Sequence, residues 1–157
     1  MGKATIDATD RKILSLLIRN ARMPFLEIAR ECGISGAAIH QRVKKMEESG
    51  VIRGFRLEVD PTALGYNVSA MIGIRINDPS MNFEIVDGLR RIPEVVECHF
   101  VTGKYNIWTR VYCVDHEHLM HTILDHILRV PGVSETETFI SLSDSFGRQV
   151  SVRDQDQ

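Results

Sequence analysis

Between Ile6 and Gly50 apolar residues recur at spacings of three and four in three consecutive runs. That period predicts three short amphipathic helices. The first run, Ile6 to Ile18, holds Ile13, Leu14, Leu16 and Leu17, with Asp7 placed as an N-cap and Asp10 in the first turn, where a carboxylate suits the helix dipole. In the second, Phe25, Ile28, Ala29 and Cys32 form the apolar stripe while Glu27, Arg30 and Glu31 face water, and Pro24 fits the first turn. Gly33-Ile34-Ser35 is a tight turn whose serine is a good N-cap for the third run, and Gly50 supplies its stop. The pattern from Phe25 to Gly50 is that of a helix-turn-helix.

In the third helix Ile39, Val43 and Met46 point inward, which leaves Ala37, His40, Gln41 and Lys44 on the opposite face. Small residues at its start, Ala37 and Ala38 after Ser35, permit close approach to a major groove. His40 and Gln41 carry groups that address base edges, and Arg42, Lys44, Lys45 and Arg53 are placed for phosphates. The run Val51 to Val59 has the β-branched and aromatic content of a strand, which predicts a wing.

After Asp60-Pro61-Thr62-Ala63-Leu64-Gly65, a turn-rich hinge, the period changes. Val68 to Ile76 alternates as a strand, Phe83 to Ile92 is helical, Val95 to Thr102 and Ile107 to Val114 are strands joined by the turn Gly103-Lys104-Tyr105-Asn106, His118 to Arg129 is helical, and Val133 to Leu142 is a last strand. The order βαββαβ predicts a ferredoxin-like sandwich. An internal echo agrees with it: Ile92-Pro93-Glu94-Val95 and Val130-Pro131-Gly132-Val133 each end a helix and open a strand. Ile72, Ile74, Trp108, Val111 and Phe139 lie on strands, so alternation must send part of this set to the face without helices, and an apolar bare face predicts self-association. The fold class is thus α+β. A winged helix-turn-helix occupies 1–60, a hinge 61–65, the sandwich 66–142, and a polar tail 143–157.

Charge divides in the same way. Residues 1–60 hold 11 Lys/Arg against 8 Asp/Glu and residues 61–157 hold 8 against 13, so the basic end is the helix-turn-helix end although the whole chain is at −2. Nucleic-acid affinity depends on local cations, so the total does not exclude double-stranded DNA as partner. No apolar run is long enough to cross a bilayer and no signal peptide is expected, which points to a cytoplasmic protein without a membrane partner. Cys32, Cys98 and Cys113 are odd in number and embedded in apolar patterns, as reduced core cysteines are. No cofactor is expected. His118, His121 and Asp125 share a helix face at spacings that suit a transition metal, but a solvated face is the favoured reading and the triad stands in reserve.

Several segments together resemble the Lrp/AsnC, or feast/famine, family of transcriptional regulators: Asp7-x-x-Asp10-x-x-Ile13-Leu14, Glu27-Ile28-Ala29 with Gly33-Ile34-Ser35, Arg42-Val43-x-x-Met46-Glu47-x-x-Gly50-Val51-Ile52, Asp60-Pro61 with Leu64-Gly65, and Val101-Thr102-Gly103. The resemblance implies sequence-specific DNA binding, dimerisation through the sheets, assembly of homodimers into an octamer, and an amino acid or related metabolite bound between dimers. It places the effector loop on Thr102, Gly103, Lys104, Tyr105 and Asn106, facing Thr136 and Thr138. Many members carry acidic residues near that glycine, suited to an ammonium group, whereas this chain has Lys104 and Asn106; a lysine attracts a carboxylate. Two alternatives accompany this reading. One is an effector-blind architectural DNA binder. The other is a tetrapyrrole-processing enzyme of Lrp-like fold, with His99 the residue of interest, although no nucleophile, base and orienter set is visible and no catalytic residue is assigned.

Overall fold

The computed structural model describes residues 5–153. It divides into two compact units, one running to Leu57 and joined by the chain from Phe146, the other spanning Glu58–Ser145.

The first unit holds α1 (Ala8–Arg19), α2 (Phe25–Cys32) and α3 (Gly36–Glu48). Each begins or ends on a local signal. Asp7 and Asp10 form a reciprocal capping box: the Asp7 carboxylate accepts from the Asp10 amide at 2.8 Å, and the Asp10 carboxylate accepts from the Asp7 amide at 3.1 Å. Gly33 leaves α2 at φ +68°, a left-handed conformation that favours glycine, and lets the Ile34 amide reach back to the Ala29 carbonyl. Ser35 Oγ then accepts from the Ala38 amide at 3.2 Å and starts α3. The inward stripes meet in one core of Ile13, Leu16, Leu17, Ile28, Ala29, Ile39, Val43 and Met46. Burying a single side chain of this size stabilises by about 1.5–3 kcal/mol, so the three short helices depend on each other more than on their own propensity.

The expected wing strand is absent. Residues 53–60 form neither helix nor ladder, and Phe55, Leu57 and Val59 are exposed. Strand-like composition needs a neighbouring strand to pair with, and among the described residues every strand belongs to the second unit.

In that unit β1 (Val68–Ile76), α4 (Asn82–Arg90), β2 (Val95–Phe100), β3 (Ile107–Cys113), α5 (His116–His121) and β4 (Val133–Ile140) follow in the expected order. The four strands are antiparallel in the sheet order β2-β3-β1-β4. The second helix starts earlier than its apolar spacing indicates, because Asp115 accepts from the His118 amide at 2.8 Å and caps it. It continues as a π turn, Thr122–His126, and a 3₁₀ turn, Ile127–Arg129. The two echoed segments fold alike: the amide of Val95 bonds the carbonyl of Ile92, and that of Val133 bonds that of Val130.

One sheet face buries Val68, Ala70, Ile72, Ile74, Ile107, Val111 and Cys113 beneath Ile85, Leu89, Leu119 and Ile127 from the helices. Register sends the intervening residues to the other face, so Met71, Gly73, Trp108, Arg110, Glu137 and Phe139 share a side with no helix of this unit over it. Of the five strand residues singled out by alternation, Trp108 and Phe139 take the bare face and Ile72, Ile74 and Val111 the core.

Candidate nucleic-acid interface and sensor loop

The solvent face of α3 is built as its periodicity predicts. Ala37, His40, Gln41, Lys44 and Lys45 are exposed, Ala38 is half-buried beside the Ser35 cap, and Arg53 is exposed beyond the helix. Lys44 lies 3.8 Å from Glu48 one turn on. Such an exposed pair contributes little and yields readily to a phosphate. The face borders an open groove of about 480 Å³ with His40, Gln41, Lys44 and Glu47 on one side and Phe25, Val43 and Phe55 completing it.

Arg42 corrects the expectation of a phosphate contact. Its guanidinium donates to Asp7 at 2.7 Å and to Asp10 at 2.8 Å, which ties α3 to the start of α1. Asp10 is buried and needs a cationic partner, so the arginine is held by the fold. The Asp7 carboxyl lies below its usual range, held there first by the Asp10 amide and then by Arg42.

In the second unit the β2–β3 connection is anchored at its far end. The Asn106 amide donates to the Ile74 carbonyl at 3.0 Å and its side-chain oxygen accepts from the Ile76 amide at 3.1 Å. The loop thereby lies along β1 on the bare face. Tyr105 lies against Gly73 so closely that a Cβ there would come within 2.6 Å of the ring. Trp108 stands 5.8 Å from Tyr105 and 5.5 Å from Phe139, giving an aromatic row. Lys104 pairs with Glu137 and sits 5.0 Å over the Tyr105 ring. Thr102 and Gly103 are exposed at the tip.

Thr136 and Thr138 do not share this face. They pair with Ile74 and Ile72, whose side chains enter the core, so they point away from the loop and Glu137 between them points toward it. The resemblance set the threonines opposite the loop; the structure sets Glu137 and Gly73 beside it, and the strand register that decides the face is not a local signal in the sequence.

The reserve metal triad does not converge. The His118 ring accepts from the Val114 amide and lies 3.0 Å from Glu94, whereas His121 turns to Asp125 at 2.8 Å. That hydrogen bond raises the His121 pKa above its ordinary value. Among the described residues no group of three His, Cys, Asp or Glu is placed to hold a metal. His99 is exposed, 3.7 Å from Glu97. Cys113 is buried and Cys32 and Cys98 are half-buried, all unpaired; burial pushes the Cys98 and Cys113 thiols up, as expected of packing residues.

A three-helix unit exposing a polar second helix of its helix-turn-helix, followed by a βαββαβ sandwich, defines a two-domain DNA-binding regulator with a sensing module. Residues 6–53 match the family described as winged helix-turn-helix DNA-binding, and residues 69–150 match the Lrp/AsnC ligand binding domain. The regulatory protein AsnC of Escherichia coli is 36% identical over 96% of this chain and 99% of its own, and the HTH-type transcriptional regulator FL11 of Pyrococcus horikoshii is 34% identical over 89% and 91%. The solved structure of E. coli AsnC superposes with a TM-score of 0.85 over 94% of this chain and 99% of that one. A transcriptional regulator from Neisseria meningitidis, solved in complex with L-Met, does so at 25% identity, with a TM-score of 0.85 over 95% and 97%. The chain belongs to the Lrp/AsnC family of transcriptional regulators, whose two domains take DNA and a small-molecule effector as partners.

Proposed function

We propose that α3 reads an operator through His40 and Gln41, with Ser35, Ala37 and Ala38 permitting close approach and Lys44, Lys45 and Arg53 holding phosphates. The observation that carries this reading is the uncovered polar face of α3, ordered by a core on its other side. Gln41→Ala is expected to reduce discrimination between operator and random duplex. Lys44→Ala weakens both and lowers the slope of log affinity against log salt by about 1. Equal losses on both duplexes for Gln41→Ala would remove it from base reading.

The effector of this chain is an α-amino acid held at the loop Thr102–Asn106. Lys104 supplies a cation and Glu137 an anion within one exposed pair, which matches the two ends of a zwitterion. The Neisseria meningitidis regulator bound to L-Met supports that chemistry. Dimers form through the bare sheet face and assemble to an octamer, the protein acts in the cytoplasm where its DNA lies, and it performs no catalysis. A thermal-shift screen of the twenty amino acids tests the effector: a specific hit that Glu137→Gln abolishes supports it. Operator affinity that no amino acid changes would favour the architectural alternative.

A further inference from the structure

Phe25 opens α2 and belongs by sequence to its buried stripe, yet the structure leaves it only half-buried. One side of its ring packs on the first unit's core. It also meets the His40 imidazole, edge to face, centroids 4.6 Å apart and planes at 70°. His40 itself is exposed on the outer face of α3, in the groove both rings line.

A hydrogen bond from an imidazole to a base edge tolerates little angular error, and a free imidazole has two torsions to misdirect it. A ring already restrained loses less freedom on meeting DNA. We infer that Phe25 is a positioning residue for operator recognition, holding His40 in the direction from which it addresses a base edge. This rests on the reading of α3 as the base-reading helix. Phe25 is well suited to the role because its backbone is fixed at the start of α2 by the Glu27 and Ile28 amides bonding the Pro24 carbonyl, and its ring is anchored from beneath by the core.

The test uses the full-length protein and a duplex that the wild type selects from a randomised pool, with each base pair then substituted singly. His40→Ala identifies the base pair that His40 reads. Phe25→Leu, which keeps the apolar packing, is expected to lose discrimination about three- to tenfold at that same base pair, in line with the strength of an aromatic pair. Affinity for random duplex and the salt slope stay unchanged. Phe25→Tyr keeps the discrimination, and Phe25→Leu/His40→Ala is no worse than His40→Ala alone. In the free protein, NMR finds the His40 ring protons displaced by the Phe25 ring current, and Phe25→Leu abolishes that displacement. Uniform loss on all duplexes, additive effects in the double variant, or unmoved His40 resonances would each overturn the inference. A wild type that selects no preferred duplex would instead end the base-reading premise, and is told apart because the loss precedes any substitution.

Discussion

At the scale of single residues, side chains with local partners were legible and those with distant partners were not. Asp7 and Ser35 announce themselves as caps because their acceptor geometry is completed three residues away. Arg42 reads as one more cation on a basic helix, yet its partners lie 35 and 32 residues upstream. Its removal therefore costs stability first. Arg42→Met leaves the buried Asp10 carboxylate without its cation and is expected to destabilise the first unit by about 1–3 kcal/mol, seen as a lower thermal midpoint at neutral pH. The acid side follows from sign: a carboxyl depressed in the folded state stabilises above its unfolded value, about 3.9, and that contribution disappears as pH falls through the folded value. Wild-type stability should thus decline below about pH 4. Arg42→Met should retain part of that dependence, since the Asp10 amide is the larger cause for Asp7. An unchanged midpoint at neutral pH would mean that the pair contributes nothing net.

At the scale of elements, hydrophobic period recovered the five α-helices and the four strands of the described residues but not the short 3₁₀ helices Thr62–Leu64 and Pro79–Met81, which are too short to show a period. It failed at residues 53–60, where composition favours a strand but no ladder forms. It found β4 but does not by itself say which residues face the loop: one step of register separates Glu137 from the threonines that the resemblance set there. Gly73 shows what such register can conceal: within β1 it reads as a weak point in a strand, and in the structure it is the floor on which Tyr105 rests. Gly73→Ala forces the ring away, and with it the loop from Lys104 to Asn106. Trp108, the chain's only tryptophan and a neighbour of Tyr105, reports that movement by fluorescence. The expected result is a shifted emission spectrum and an altered amino-acid response with operator affinity in the absence of effector retained. An unaltered spectrum and response would separate the loop from effector binding.

At the scale of the whole molecule, the proposed effector loop and the proposed dimer face share one feature, the aromatic row on the bare side of the sheet. On that face Trp108 stands on the central strand β3 and Phe139 on the edge strand β4, and Tyr105 carries the same row to the loop that holds Lys104. An aromatic row of this kind, half-buried at Tyr105 and Trp108 and exposed at Phe139, and flanked by the pairs Arg75–Glu135 and Lys104–Glu137, has the make-up of an interface core with a polar rim. If copies pair there, an occupant of the loop changes the rim of the contact, and assembly and effector affinity become coupled; a coupling of about 1–3 kcal/mol is typical. A two-fold pair also presents two recognition helices, so a pseudo-palindromic operator with half-sites about one turn apart is bound far more tightly than a single half-site. Phe139→Asp places a charge at the exposed end of the row, where burial against a second copy is costly. Sedimentation of this variant should show a smaller species than the wild type. Its affinity for the two-half-site duplex should fall toward that for one half-site, while its affinity for one half-site stays unchanged because Phe139 lies in the second unit and α3 in the first. A Phe139→Asp protein that keeps both its mass and its preference for two half-sites would place the dimer contact elsewhere.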